Sequence, residues 1–164
     1  MVNDHSKPST HNVALKSKRQ SINMMKGTIR GVNNDQVFHF DTKFVYREST
    51  PDWKLLVFGH QPMDGEGVFR IEFQLNDKDA PTGRYSYPDG GVFKFHLVYP
   101  RDPAFQFAGE RGNVEFINHG PKIEGALSFL TENKYGQQYD VRAEFEHTGE
   151  RAYHRVMNNC SKNI

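Results

Sequence analysis

The 164 residues carry 21 basic and 20 acidic side chains, a formal net charge of +1, and so lack the basic excess that marks a nucleic-acid binder. Cys160 is the single cysteine, which excludes an intramolecular disulfide, and no apolar run approaches the roughly 18–20 residues of a membrane-spanning helix. Apolar content is only 36%, yet 13 residues are phenylalanine, so a few large rings must supply most of the core.

Residues 1–21 are rich in Ser, Asn, His and Lys and read as a flexible polar arm, with Lys16-Ser17-Lys18-Arg19 as a solvated charge run. They hold no hydrophobic block of a secretory signal. With the lone cysteine, this predicts a cytoplasmic chain; export without a classical signal peptide is the alternative. Residues 22–158 read as one domain and residues 159–164 as a flexible tail.

Within the domain, strands follow at short intervals. Residues 22–30 form a first candidate, closed by a turn at Asn33-Asn34-Asp35, whose side chains bond their own backbone. Residues 36–47 read as one long strand with Phe38, Phe40, Phe44 and Tyr46 on a shared face, since alternate residues of a strand point the same way. Residues 53–59 are apolar on both sides, which predicts a central or doubly covered strand. Phe69, Ile71, Phe73 and Leu75 then alternate cleanly, and residues 83–87 form a short strand. Pro88-Asp89-Gly90-Gly91 reads as a hairpin turn, leading into residues 92–99 with Phe93, Phe95, Leu97 and Tyr99 on the dry face.

Residues 100–111 hold two prolines and read as an irregular loop pinned by Phe105 and Phe107. Residues 112–118, 123–131 and 138–147 form a closing meander, and residues 151–157 an edge strand or short helix. No segment of useful length shows the 3.6-residue period of a helix. The sum is an all-β, antiparallel β-sandwich with little helix. A closed β-barrel of calycin-like form is the alternative, because alternation alone does not distinguish the two closures.

Gly112-x-Val114-x-Phe116, Ile123-x-Gly125-x-Leu127-x-Phe129 and Tyr139-x-Val141-x-x-x-Phe145 resemble a hairpin pattern of uncharacterised bacterial β-sandwich proteins. Leu56-x-Phe58-Gly59 and Thr82-Gly83-x-Tyr85 stand where that pattern has an earlier strand and a Gly-x-Tyr corner. The resemblance implies a fold and carries over no activity and no catalytic residue.

Site signatures are sparse. His39 and Asp41 share one strand face, a spacing compatible with metal ligation, but no compact cluster supports a metal or other cofactor. Loop carboxylates at 64–66 and 76–79 fit turn chemistry better than a calcium loop. Glu144 and Glu146 beside Arg142 fit cross-strand charge pairing. No nucleophile elbow, phosphate loop or dinucleotide fingerprint is present, so the reading leans away from an enzyme and assigns no catalytic residue.

Aromatics at strand ends and turns are the candidate ligand contacts: Trp53, Tyr85, Tyr87, Tyr99, Phe105, Phe107 and Tyr135. They predict a binding module for a protein, glycan or small apolar ligand. A structural or assembly component, pairing through a sheet edge and oligomerising, is the second reading. A hydrolase or isomerase with a His and carboxylate cleft is the third.

Overall fold

The alternating rings of the sequence line a nearly closed antiparallel barrel. The computed structural model describes residues 23–65, 67–99 and 106–149, and among these no helix is present. Ten strands are formed: β1 (Met24–Gly31), β2 (Val37–Thr42), β3 (Phe44–Ser49), β4 (Leu55–Met63), β5 (Gly67–Leu75), β6 (Gly83–Tyr87), β7 (Val92–Val98), β8 (Gln106–Asn118), β9 (Lys122–Thr131) and β10 (Tyr139–Thr148). They pair in the order β2-β1-β10-β9-β8-β7-β5-β4-β3, with β6 added beside β8. The two ends of that order, β2 and β3, are consecutive in the chain and separated only by Lys43. The sheet therefore curls until its ends meet at a corner. Of the two closures alternation allows, the structure takes the nearly closed barrel.

The interior is packed with side chains. Phe40, Phe73, Phe95, Phe107, Phe116 and Phe145 are all essentially inaccessible to solvent. Phe73 meets Phe145 at 5.1 Å and Phe95 stacks on Phe129 at 4.8 Å, tying β5 and β7 to β10 and β9 across the barrel. Each buried ring contributes about 1.5–3 kcal/mol, which is how a chain lean in apolar residues holds its core. Gly59 faces inward on β4, where a Cβ would lie 2.9 Å from Met25 Sδ and 3.3 Å from Phe40 Cε1. Its missing side chain lets the β1–β2 wall close against β4.

Four expectations are corrected. Residues 36–47 are two strands: Lys43 turns the corner and shifts the alternation, so Phe38 and Phe40 face inward while Phe44 and Tyr46 face out. Val45 and Arg47 take the inward places on β3. Phe93 is 47% exposed, because the β5–β7 register slips between Gln74 and Leu75 and Leu75 pairs with Val92, leaving Phe93 as the extra residue.

The turn at residues 88–91 forms, with Asp89 at φ 68° and Gly91 at φ 90°, but it joins no hairpin. β6 crosses to pair with β8, and Ser86 and Gly91 share only an isolated bridge. Residues 106–111, expected within an irregular loop, are the start of the 13-residue β8. That strand pairs with β7 at one end and with β6 and β9 along the rest, so it forms a second corner. The arm at 1–21, the segment 151–157, the tail at 159–164 and Phe105 lie outside the described residues.

Candidate functional site

A barrel closed by a corner keeps an unfinished seam. Among the described residues, β2 pairs with β1 alone, and β3 with β4 alone. In an antiparallel strand the N–H and C=O of one residue point to the same side, and successive residues alternate. The Asp41 N–H donates to Gln61 Oε1 at 2.9 Å, away from β1. Val37 and His39, on the same phase, likewise turn their backbone groups away from β1. Gln36 O, on the other phase, accepts from Gly31 N at 2.9 Å on the β1 side. The three outward-turned residues Val37, His39 and Asp41 are exposed.

Across the seam stands the end of β4. Thr42 Oγ1 donates to His60 O, fixing the even residues of β4 as those whose backbone faces β2 and β3. Pro62 is on that phase and has no N–H to offer, so the β4 side of the seam is blunted. The β2 side has no such protection. One of its outward amides is met by a glutamine side chain, and no ladder completes the rest among the described residues.

Behind the seam lies the end of the barrel where β1, β4, β7 and β9 finish and β2, β5, β8 and β10 begin. A chain of rings closes it. Phe38 meets Phe69 and Tyr99 at 5.6 Å each, and Phe69 meets Tyr99 edge-on at 5.1 Å. Tyr99 stacks on Tyr139 at 6.2 Å, which takes the edge of Phe107 at 5.1 Å. Phe69, Phe107 and Tyr139 are buried, whereas Phe38, Tyr99 and neighbouring Met63 are half-buried and form the rim.

The strand-end aromatics are thus divided between two ends. Tyr99 and Phe107 belong to the ring cluster, and Tyr135 stands 81% exposed in the β9–β10 loop of the same end. That loop is tied to the β1–β2 loop by Asn33 Nδ2 donating to Gly136 O at 3.3 Å. Tyr85 and Tyr87 lie at the opposite end, packed against Phe116 and Phe95, and Tyr85 Oη donates to Pro81 O at 2.6 Å. Trp53 is 67% exposed at that end, with Lys78 Nζ 5.1 Å from its ring centre. Sequence reasoning missed Phe38, Phe69 and Tyr139 as members of the cluster, because their alternation marks them only as core. Nothing in the sequence marks Gln61.

Histidine and carboxylate meet at the pair His119 and Glu124, 3.6 Å apart beside the β8–β9 turn, and in a denser network on the outer face of β4, β5 and β7. Glu72 lies between Phe58 and His96 in the cross-strand register, with only 4% of its side chain exposed. Arg70 Nη2 reaches Glu72 Oε2 at 2.6 Å, while Lys94 Nζ at 3.2 Å and Gln74 Nε2 at 3.0 Å share Oε1. Burial pushes this carboxyl up, but Arg70 and Lys94 outweigh it and hold the group below the usual range. Arg70 also lies over the Phe58 ring at 4.1 Å, and Phe58 stacks on Tyr46 at 5.0 Å.

These side chains cover β4 from outside, where the sequence expected a second layer. Every oxygen of Glu72 is engaged and the face is convex, so the network serves as a brace. His39 stands exposed on β2 and His147 is buried on β10 near Arg47, away from this brace. No group of three or more metal-ligating side chains forms among the described residues, and no helix there is long and apolar enough to cross a membrane.

Fold and site together define an antiparallel barrel whose circuit stays open, among the described residues, along one edge of β2 and one edge of β3, the β2 edge lying above a rim of half-buried aromatic rings. The chain matches no protein-family model, and comparison with the curated proteins and with the solved structures finds no match.

Proposed function

We propose that the chain is an assembly component that takes up an extended segment of another polypeptide along β2. The observation that supports it is the run Val37, His39 and Asp41, turned away from β1, joined to no second strand among the described residues and opposed by the proline-blunted end of β4. A strand laid on this edge gains backbone hydrogen bonds, and its inward side chains reach Phe38, Met63 and Tyr99. Those rim residues suit an apolar or aromatic side chain on the incoming segment. A small apolar ligand inside the barrel is the weaker reading, since phenylalanines already occupy the interior.

Selection of peptides on the full chain tests the proposal. It expects extended peptides with apolar residues two apart, which bind the wild type and lose binding to His39→Pro. That substitution removes an outward donor and leaves the β1–β2 bonds in place. Amide exchange should show Val37 and His39 exchanging faster than Phe38 and Phe40 in the free protein, and slowing with peptide. Equal protection of both phases, or peptides indifferent to His39→Pro, would overturn it. A concentration-dependent dimer lost with His39→Pro would identify a second copy as the partner.

A further inference from the structure

The outer face of the wall opposite the Glu72 brace carries a second feature, independent of the β2 edge. Cross-strand register sets Thr28, Arg142, Ser128, Asn113 and Ser86 side by side across β1, β10, β9, β8 and β6. This row is hydroxyl, guanidinium, hydroxyl, amide and hydroxyl, and it contains no large apolar side chain. The adjacent row runs Arg30, Asp140, Leu130 and Arg111.

Three depressions of about 430, 350 and 320 Å³ lie along these rows. The first and third share Asp140 and Arg142, and the first and second share Asn113. They form a trough running across the strands. Four strand spacings of about 4.8 Å give it a length of about 19 Å.

Charge in the trough is lopsided. Arg142 holds Asp140 by two bonds of 3.1 and 3.3 Å, and Arg84 is paired with Glu115. Arg30 and Arg111 are exposed, and neither has a carboxylate within ion-pair distance among the described residues. Asp140, which lines two of the depressions but is held by Arg142, and Glu144, on the next row beside Ala126 and opposite Lys26, are the negative charges a ligand must avoid. The result is two uncommitted guanidinium forks flanking a strip of hydroxyl and amide groups. Guanidinium forks recognise planar or tetrahedral oxyanions, and the strip supplies donors and acceptors for hydroxyls.

We infer that this trough binds an anionic oligosaccharide, its carboxylate or sulfate groups on Arg30 and Arg111 and its hydroxyls on Ser128, Asn113 and Thr28. A single-stranded nucleic acid fits less well. Of the rings lining the trough, Phe129 is buried, and Tyr85 and Tyr87 are half-buried against Phe116 and Phe95, which leaves little ring surface for base stacking.

Titration of the full chain with four probes tests this: a hexamer of galacturonate, a heparin-derived hexasaccharide, neutral xylohexaose and an oligothymidylate of eight residues. At least one of the two acidic sugars should bind, and its binding should weaken as salt rises. Tight binding of the heparin fragment alone assigns the groups as sulfate, and binding of both equally assigns carboxylate. Arg30→Gln with Arg111→Gln should lose about tenfold or more in affinity. Arg111→Lys, which keeps the charge without the fork, should lose less. Both side chains are exposed, so melting temperatures of these variants should match the wild type. Amide shifts induced by the bound sugar should centre on Thr28, Asn113 and Ser128. Failure of both acidic sugars to bind, binding indifferent to the double substitution, or tighter binding of oligothymidylate or xylohexaose would overturn the inference.

Discussion

Replacing Glu72 with glutamine separates a brace from a reaction centre. Glutamine keeps the shape of the side chain and can still bond Gln74, but it removes the charge opposite Arg70 at 2.6 Å and Lys94 at 3.2 Å. Two charge-assisted hydrogen bonds in a dry setting are worth about 1.5–3 kcal/mol each. Here the side chains of Arg70 and Lys94 are 30% and 43% exposed, so solvent returns much of that when the partner is lost. A net cost of about 2 kcal/mol follows, or about 4–8 °C in melting temperature for a chain of this size.

The pH dependence has a definite sign. The folded carboxyl titrates below its usual 4.5, so its contribution is fully present above that value and is lost as pH falls through the folded value. The gap between wild type and Glu72→Gln should therefore be constant from neutrality to about pH 5 and close below it. Thermal melts by circular dichroism across pH 3.5–7.5, about 1 °C in precision, suffice. A variant equal to or more stable than the wild type at pH 7 would refute the reasoning. It would mean that the carboxylate is held there at a cost, as functional sites often are.

Other consequences can be measured on the same protein. Gly125→Ala should destabilise by about 3 kcal/mol, because its Cβ would fall 1.9 Å from the Glu115 carbonyl oxygen and only backbone movement can relieve it. Thermal melts check this, with Gly136→Ala, a left-handed loop position that has open space around it, as the milder control. His147 is held below its usual 6.5 by burial and then by Arg47, so its contribution is complete above that pH and is lost as pH falls toward the folded value. His147→Leu should remove that part of the acid decline in melting temperature. His60 and His96, also lowered by burial, should keep the remainder. Phe95→Ala should cost about 3–5 kcal/mol by chemical denaturation, since the ring is fully buried on Phe129, whereas Phe93→Ala should cost under about 1 kcal/mol.

Most of the strands were legible because their signal is local. Phe69, Ile71, Phe73 and Leu75 alternate against charged and amide side chains, and the structure buries all four. The errors share one physical origin. A single residue added or displaced in a strand exchanges its two faces, and a period-two pattern contains no record of where that happens. Lys43 does this between Phe40 and Phe44, and Phe93 does it beside Val92. Tyr85 and Tyr87 were correctly placed on a strand, but its partner is set by a crossing to β8 that no neighbouring residue encodes. The candidate site was less legible still. An unpaired edge is a property of two distant segments, Val37 to Asp41 and the end of β4, and each reads as ordinary strand by itself.

The corner that misled the alternation also creates the seam. A barrel wall made from one continuous strand would pair with β1 on one side and β4 on the other along its whole length. Lys43 divides that wall, so β2 serves β1 and β3 serves β4, and each half leaves one edge incomplete. On the β3 half, Arg47 turns inward and donates to Gly120 O at 2.6 Å, joining that strand to the β8–β9 turn. On the β2 half, Thr42 Oγ1 donates to His60 O beside the corner, and further along the edge the closure is a glutamine amide reaching Asp41. An exposed amide hydrogen bond of this kind contributes about 0.5–1.5 kcal/mol, and a strand supplying several backbone bonds displaces it at a net gain. If Gln61 is the latch, Gln61→Ala should strengthen peptide capture at β2. Capture weakened by Gln61→Ala would show instead that the glutamine holds the edge in the form that binds.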